Sequence, residues 1–400
     1  MRFDTIIIGG GLSGLTAGLR LQKAGQKTAI ISAGQNALHF SSGVFGVLKE
    51  DSVIPEGHPY THLPLEKYLE EVKPFFLDAG IRLGGDPLKN GWRLTPSGTM
   101  QEGRFSLEEA TLFSAPDEFK ATKALIVNIP GFLDFNTAFL ADGLAKRGIP
   151  ARVACLDVPE LTSLRTSPSE MRSVNISRVA DSVSGKVAEA VKALLKDEDL
   201  VILPQVFGLQ DAGIPARIAE AIPSRVLFIG TMPPSVPGIR TQLLLKRAYE
   251  RAGGTFLMGD EAIAPVMDET RVKALRTVNL GEQLLQADHY ILASGSFFSK
   301  GLASSMRKIY EPLFGLDVEF PDERTQWYDL DFFAPQAYGG FGVVTDEKFR
   351  ALKAGRVMEN LYVAGSVLAR TYGQQLGCGG GVAILTAFAT ADNIMEAQRV

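Results

Sequence analysis

The sharpest hydrophobic pattern lies at the start of the chain. Thr5-Ile6-Ile7-Ile8 is a short β-branched run, Gly9-Gly10-Gly11 interrupts it, and Leu12, Leu15, Leu19 and Leu21 follow at near-helical spacing up to Gly25. A short apolar run bounded by glycine reads as a buried strand, and apolar residues three to four apart read as one face of a helix. The order predicted is therefore strand, glycine turn, helix, glycine stop. Lys27 to Ser32 adds a second apolar strand, which completes a βαβ unit of about 30 residues with a right-handed parallel crossover.

Further along the pattern loosens and then returns. From about 50 to 122 there are prolines, acidic residues and the polar segment Gly91 to Gly98, with no long periodicity. This reads as the start of an inserted second domain. Two α/β pieces follow: a strand at Ala124–Asn128 with a helix at Thr137–Lys146, and a strand at Leu200–Pro204 with a helix near Pro215–Ala221. A helix around Thr241–Arg251, a Gly253-Gly254 stop and a strand at Thr255–Met258 bring the chain back to the first domain. Alternation from Val272 to Leu285 predicts a β-meander. Four hundred residues exceed what one hydrophobic core usually supports, so two packed regions are expected.

Composition narrows the chemistry. A net charge of -4 without a basic block argues against nucleic acid as a partner, and an anionic ligand would need locally placed arginines. Cys155 and Cys378 are far apart and in no CxxC pair, so this chain builds neither an iron–sulfur cluster nor a zinc site, and no metal is expected. That cysteine usage fits a reducing cytoplasm. The most apolar stretches, Thr5 to Leu19 and Gly379 to Ala391, are too short to span a bilayer. The N-terminal run begins behind Asp4 and leads straight into glycines, unlike a signal peptide.

Those glycines carry the first functional reading. Gly9-x-Gly11-x-x-Gly14 matches the dinucleotide fingerprint: a tight turn, a backbone bare enough for a phosphate to approach, and close helix–strand packing. The helix amides and dipole then hold the anion. Dinucleotide proteins usually end the second strand on an acidic residue that clamps the adenosine ribose; here Ser32 stands at that place. A hydroxyl cannot hold two ribose hydroxyls as a carboxylate does, so a mononucleotide flavin becomes an option beside a dinucleotide.

Two more strand-to-turn junctions repeat the design. Ala287 to Leu292 runs into Ala293-Ser294-Gly295, and Asn360 to Ala364 runs into Gly365-Ser366, where flavoproteins usually carry Gly-Asp. Gly377-Cys378-Gly379-Gly380-Gly381 then opens an apolar helix over Val382–Ala391. A helix N-terminus at Gly379 and Gly380 aimed at the flavin pyrimidine would stabilise negative charge; the alternative is close helix packing. Cys378 reads as a small packing residue. The fold expected is thus α/β: a Rossmann-type FAD/NAD(P)-binding fold with a β-meander and an inserted second α/β domain. Residues 1–50, 238–305 and 350–400 would form the flavin domain, and 51–237 and 306–349 the insertion.

Beyond the glycine turns, several stretches resemble one family from end to end. They are Met1 to Gly11, Ala37-Leu38-His39-Phe40-Ser41-Ser42-Gly43, Ser173 to Ile176, Pro233 to Val236, Gly238-Ile239-Arg240, Leu292 to Phe298 and Gly377 to Gly381. Together they resemble the B-type subunit of anaerobic glycerol-3-phosphate dehydrogenase. The resemblance implies FMN as the cofactor, with FAD the alternative, and a place beside a larger flavin-containing catalytic subunit and a membrane-associated iron–sulfur subunit. It also implies oxidation of glycerol 3-phosphate to dihydroxyacetone phosphate, with electrons passing towards the quinone pool, at the inner face of the cell membrane. A non-catalytic interaction subunit with a structural flavin, and a flavoprotein acting on another substrate, stay open beside it.

Three further site expectations follow. Ser41, Ser42 and Gly43 should lie against the cofactor, because this small polar turn follows the second strand. His39 is the candidate for proton transfer. Arg240, behind a proline-rich turn, is the candidate for a substrate phosphate, with helix capping or solvation as its ordinary alternative.

Overall fold

The computed structural model describes residues 1–398, so the last two residues of the expected 350–400 segment lie outside it. The elements that matter here, in chain order, are β1 (Arg2–Ile8), α1 (Leu12–Lys23), β2 (Thr28–Ser32), β3 (Gly91–Leu94), β4 (Met100–Gly103), β5 (Ala124–Asn128), β6 (Ala151–Cys155), β7 (Leu200–Pro204) and β8 (Arg225–Ile229). They continue with α2 (Val236–Arg251), β9 (Thr255–Met258), β10 (Gln286–Leu292), β11 (Arg350–Lys353), β12 (Arg356–Val363) and α3 (Gly379–Ala397).

The chain divides into two compact units. The first holds Met1–Ala37, Phe45–Gly80 and the chain from Leu244 onward; the second holds Leu38–Val44 and Ile81–Leu243. The sequence pattern assigns 51–80 and 306–349 to the insertion, whereas the structure groups both with the first unit. Conversely, 38–44 and 238–243 group with the second.

The first unit is a six-stranded sheet in the order β9-β2-β1-β10-β12-β11, parallel except for β11. Ile6, Ile7, Ala29 and Ile30 are fully buried, as strands covered on both faces require. Helices α1 and α3 pack on each other. The expected meander is an antiparallel pair, Ala262–Asp268 with Arg271–Thr277, extended by a single bridge from Leu275 to Leu285.

The second unit is built around a four-stranded parallel sheet in the order β8-β7-β5-β6. Its core joins Leu125, Ile126, Val201 and Ile202 to residues of the surrounding helices such as Leu140, Ile176 and Val187. The helix over Thr137–Lys146 starts where Asn136 caps the Phe139 amide at 3.1 Å. The polar stretch around Gly91 is the antiparallel hairpin β3–β4, which its short strands and polar composition hid.

Candidate functional site

In the six-stranded sheet Ile8 stands beside Leu292, and Leu292 beside Val363. The turns that follow these three residues therefore leave one edge of the sheet together. The strand order turns back between β1 and β10, and ligands of open α/β sheets bind at the carboxyl ends of the strands at such a reversal.

The turns interlock through missing side chains. Gly9 has φ +119°, and a Cβ on it would stand 2.2 Å from the Ala293 carbonyl oxygen. A Cβ on Gly14 would stand 1.8 Å from the Gly9 carbonyl oxygen, so α1 is pressed directly onto the end of β1. Gly365, at φ +81°, meets Ser13 Oγ in the same way, and its amide donates to Thr386 Oγ1 of α3 at 2.9 Å. Gly295 lies within reach of Ser366 Oγ, 3.8 Å from where its Cβ would be. Gly11 is different: a Cβ there would touch only Asn36, at 3.8 Å.

Ser32, which ends β2, is buried and packs against Gly10, whose missing Cβ would lie 2.5 Å from its Oγ. Two features of this edge suit a phosphate-bearing cofactor. The N-terminus of α1 at Gly11 has no side-chain cap, leaving amides for an anion. Ser294 Oγ is buried and without a partner, an orphan that a ligand atom would satisfy. The sequence points to the glycines and to the Ala293-Ser294-Gly295 turn; it holds no signal for Ser13 or Thr386, whose roles come from contacts across the fold.

At the start of α3 the two glycines part company. Gly379 is exposed, whereas a Cβ on Gly380 would meet Phe45 Cα at 3.0 Å, which makes Gly380 a packing glycine. Cys378 is buried, contacts the Thr371 carbonyl oxygen at 3.2 Å, and burial pushes its thiol up to about 12, so it is inert at neutral pH. Beside it lies His58, fully buried, accepting from the Tyr60 amide through Nδ1 at 3.1 Å and donating to the Thr371 carbonyl from Nε2 at 3.2 Å. Burial lowers His58 to about 4, so it is a neutral strut that no sequence motif marks.

The remaining expected residues sit in the second unit. Helix α2 begins at Val236, not Thr241, and Ser235 caps it by accepting from the Gly238 amide at 3.1 Å. Ser235 is also stitched to the 38–43 segment: its hydroxyl donates to the Ser41 carbonyl and its amide to the His39 carbonyl at 2.7 Å. Gly43 has φ +78° and is wedged between Leu107 and Pro237. Gln242 Oε1 can only accept, so His39 Nε2, 2.6 Å away, carries the proton and Nδ1 holds a buried lone pair with no partner.

Arg240 is not placed as expected. The early helix start puts it on the buried face of α2, 3% exposed, where it pairs with Glu109 and donates to Phe207 and Gly208 carbonyls at 3.2 and 2.8 Å. Burial pushes the guanidinium down to about 10, still charged at neutral pH. A substrate phosphate would have to displace Glu109. Arg240 is instead a structural cation tying α2 to the chain around Phe207.

Comparison with known proteins agrees with the geometry of the sheet edge. A family model described as FAD binding domain matches residues 4–63 and 54–382. The chain is 37% identical over 420 residues to the B-type subunit of anaerobic glycerol-3-phosphate dehydrogenase from Pectobacterium atrosepticum, covering 99% of each. It is 34% identical over 425 residues to the protein of the same name in Yersinia pseudotuberculosis, covering 100% of each. The matching domain is one for FAD, which supports a flavin and does not support FMN as the first choice. Ser32 is a single contact and does not decide for FMN: losing a carboxylate at the ribose removes about 1.5–3 kcal/mol at most and leaves the phosphate-binding turn intact.

Proposed function

The chain belongs to the family formed by the B-type subunit of anaerobic glycerol-3-phosphate dehydrogenase, and from that premise we propose that it is a flavin-dependent oxidoreductase subunit in the oxidation of sn-glycerol 3-phosphate to dihydroxyacetone phosphate. The observation that carries this reading is the meeting of three glycine turns at one sheet edge beside the uncapped start of α1. The cofactor proposed is FAD. Gly9, Gly11 and Gly14 would cradle its phosphates, while Gly295, Gly365 and Ser366 would line the approach from β10 and β12.

Oxidation of the secondary alcohol removes two electrons and two protons. A bound flavin supplies the two-electron acceptor. What the chain contributes is position and exclusion of water: bare backbone at Gly9 and Gly11, and hydroxyls at Ser13, Ser294 and Ser366. Nδ1 of His39 is the proton acceptor in this reading, and electrons leave towards quinone through partner chains. Acid release of the bound flavin from purified protein, followed by chromatography against FAD and FMN standards, tests the cofactor. Glycerol 3-phosphate oxidation with an artificial acceptor, wild type against His39→Gln in the assembled complex, tests the chemistry; unchanged turnover removes His39.

One observation favours a second reading, in which this subunit relays electrons and the substrate is oxidised elsewhere. The three gathered turns offer hydroxyls and backbone groups only, with no His, Lys, Asp or Glu in Gly9–Gly14, Ala293–Gly295 or Gly365–Ser366. Partner chains are part of both readings. The loop after Trp327 supports them: Leu330, Phe332 and Phe333 are 91, 84 and 91% exposed, yet the loop is held by Gln336, which accepts from the Asp329 amide and donates to the Asp331 carbonyl, both at 2.9 Å. An ordered, exposed apolar patch is the mark of a docking surface. No helix among the described residues is long and apolar enough to cross a membrane, so attachment at the membrane would come through those partners.

A further inference from the structure

The second unit contains a cleft in which Ser42 is the one lining residue that belongs to a sequence motif. Ser42, Arg93, Thr111 and Gln205 line it together with Phe113 and Phe228, and it encloses about 320 Å³, part of it open to solvent. Among the described residues Arg93 is the only charged one in the lining.

Arg93 stands on β3 opposite Gln101 of β4, and one of its terminal nitrogens donates to Gln101 Oε1 at 2.8 Å. Its Nε is buried and has no partner. Burial holds the guanidinium below its ordinary range, and no carboxylate offsets that loss among the described residues. Arg240, in the same unit, shows how the fold satisfies a buried arginine when its role is structural: one carboxylate and two carbonyls take up its donors. Arg93 has no such set. A desolvated cation without a counter-ion is costly, and a buried donor left unpaired calls for a ligand, an ion or a chemical role. Around it the hydroxyls of Ser42 and Thr111 make no hydrogen bond to other described residues.

We propose that this cleft binds a phosphate group, free or as the monoester of a small polyol, held by Arg93 with the hydroxyls of Ser42 and Thr111. A guanidinium offers a planar set of donors that matches phosphate oxygens, and two hydroxyls complete the coordination. The phosphate site stands on the cleft itself. Only the ester as its source rests on the glycerol 3-phosphate reading above.

The test uses the full chain at constant ionic strength, with melting temperature and titration calorimetry as readouts. The probes are sodium phosphate, glycerol 3-phosphate, glycerol and sodium chloride. Wild type should be stabilised by the two phosphate compounds and not by glycerol or chloride. Arg93→Met should bind them at least tenfold more weakly while its unliganded melting temperature stays equal to or above that of wild type. Tighter binding of glycerol 3-phosphate than of phosphate assigns the ester; equal binding keeps the phosphate site and removes the ester. Turnover of glycerol 3-phosphate in the assembled complex is measured separately, so loss of the oxidation reading does not count against the site. Should Arg93→Met fail to fold, the Ser42→Ala, Thr111→Val pair serves, with several-fold weaker binding expected. An Arg93→Met protein that responds to phosphate as wild type does, or a wild type indifferent to both phosphate compounds, overturns the proposal.

Discussion

The turn-bearing edge of the six-stranded sheet and the cleft of the second unit both leave polar groups open, and they do so by opposite means. At the sheet edge the groups are backbone, uncovered by glycines at which a Cβ would strike a carbonyl oxygen 1.8 to 2.2 Å away. In the cleft they are side chains, and the central one is a cation the fold leaves without a carboxylate. A backbone site appears in the sequence as glycine at fixed spacing. A side-chain site depends on burial and on the absence of a partner, which only the fold decides.

The largest effect separates two arginines of the second unit, Arg240, which is buried, and Arg93, which is half-buried with a buried Nε. Arg240→Ala leaves the Glu109 carboxylate buried with only the Gln205 amide, at 3.3 Å, beside it and should cost about 3–5 kcal/mol in urea denaturation. Arg93→Met should be neutral or stabilising. Equal losses at the two positions would mean that Arg93 is as structural as Arg240.

Acid tests the first unit alone. His58 titrates near 4 in the folded state against 6.5 when unfolded, so the unfolded chain takes up the proton first as the pH falls. Its contribution to stability is complete above about pH 6.5 and is lost progressively towards pH 4, on the order of 3 kcal/mol in all. The stability advantage of wild type over His58→Gln should therefore shrink between pH 7 and pH 4.5 in parallel melts. A constant difference would show that His58 is not held neutral by burial.

Smaller effects distinguish the glycines of the cradle. Gly14→Ala forces α1 off the end of β1 and should cost about 1–3 kcal/mol, by the ordinary penalty of overpacking. Gly11→Ala has room for its methyl group and should change stability by no more than about 0.5 kcal/mol. It should nonetheless lower flavin affinity, read as flavin content after gel filtration, because the methyl stands where the phosphate approaches. Full flavin content in Gly11→Ala would remove that glycine from the cradle. Smallest of all, Phe332→Ser with Phe333→Ser should leave stability within about 0.5 kcal/mol while reducing recovery of partner chains in co-purification; unchanged recovery would place the partner surface elsewhere.

The fold is most legible where one signal dominates. The βαβ start, the Thr137–Lys146 helix and the Thr255–Met258 strand emerge at their expected places because periodicity and glycine stops agree there. The start of α2 is obscured because Pro237 and Gly238 look like a turn, although proline is at home in a first helical turn, where no amide partner is needed. That shift of five residues is what moves Arg240 from a cleft to a core. The β3–β4 hairpin is short and polar, so neither alternation nor hydrophobicity announces it. Of the candidate site, the glycines of three turns are visible in the sequence, and the residues that lock them, Ser13 and Thr386, are not, because their partners lie more than twenty residues away or on another element.

The place of β1 in its sheet also bears on how the chain is made. The strand at residues 2–8 lies between β2 and β10, β10 needs β12 beside it, and α1 packs on α3, whose residues begin at Gly379. The four strands of the second unit's parallel sheet, by contrast, all come from residues 124–229. During synthesis the four-stranded sheet can therefore close first, while β1, made earlier, waits with one edge unpaired until β10 has emerged. Long-range pairing of this kind is slow and leaves an apolar edge open to wrong partners, so the unpaired side of β1 is an edge that the nascent chain has to keep from mispairing until β10 arrives.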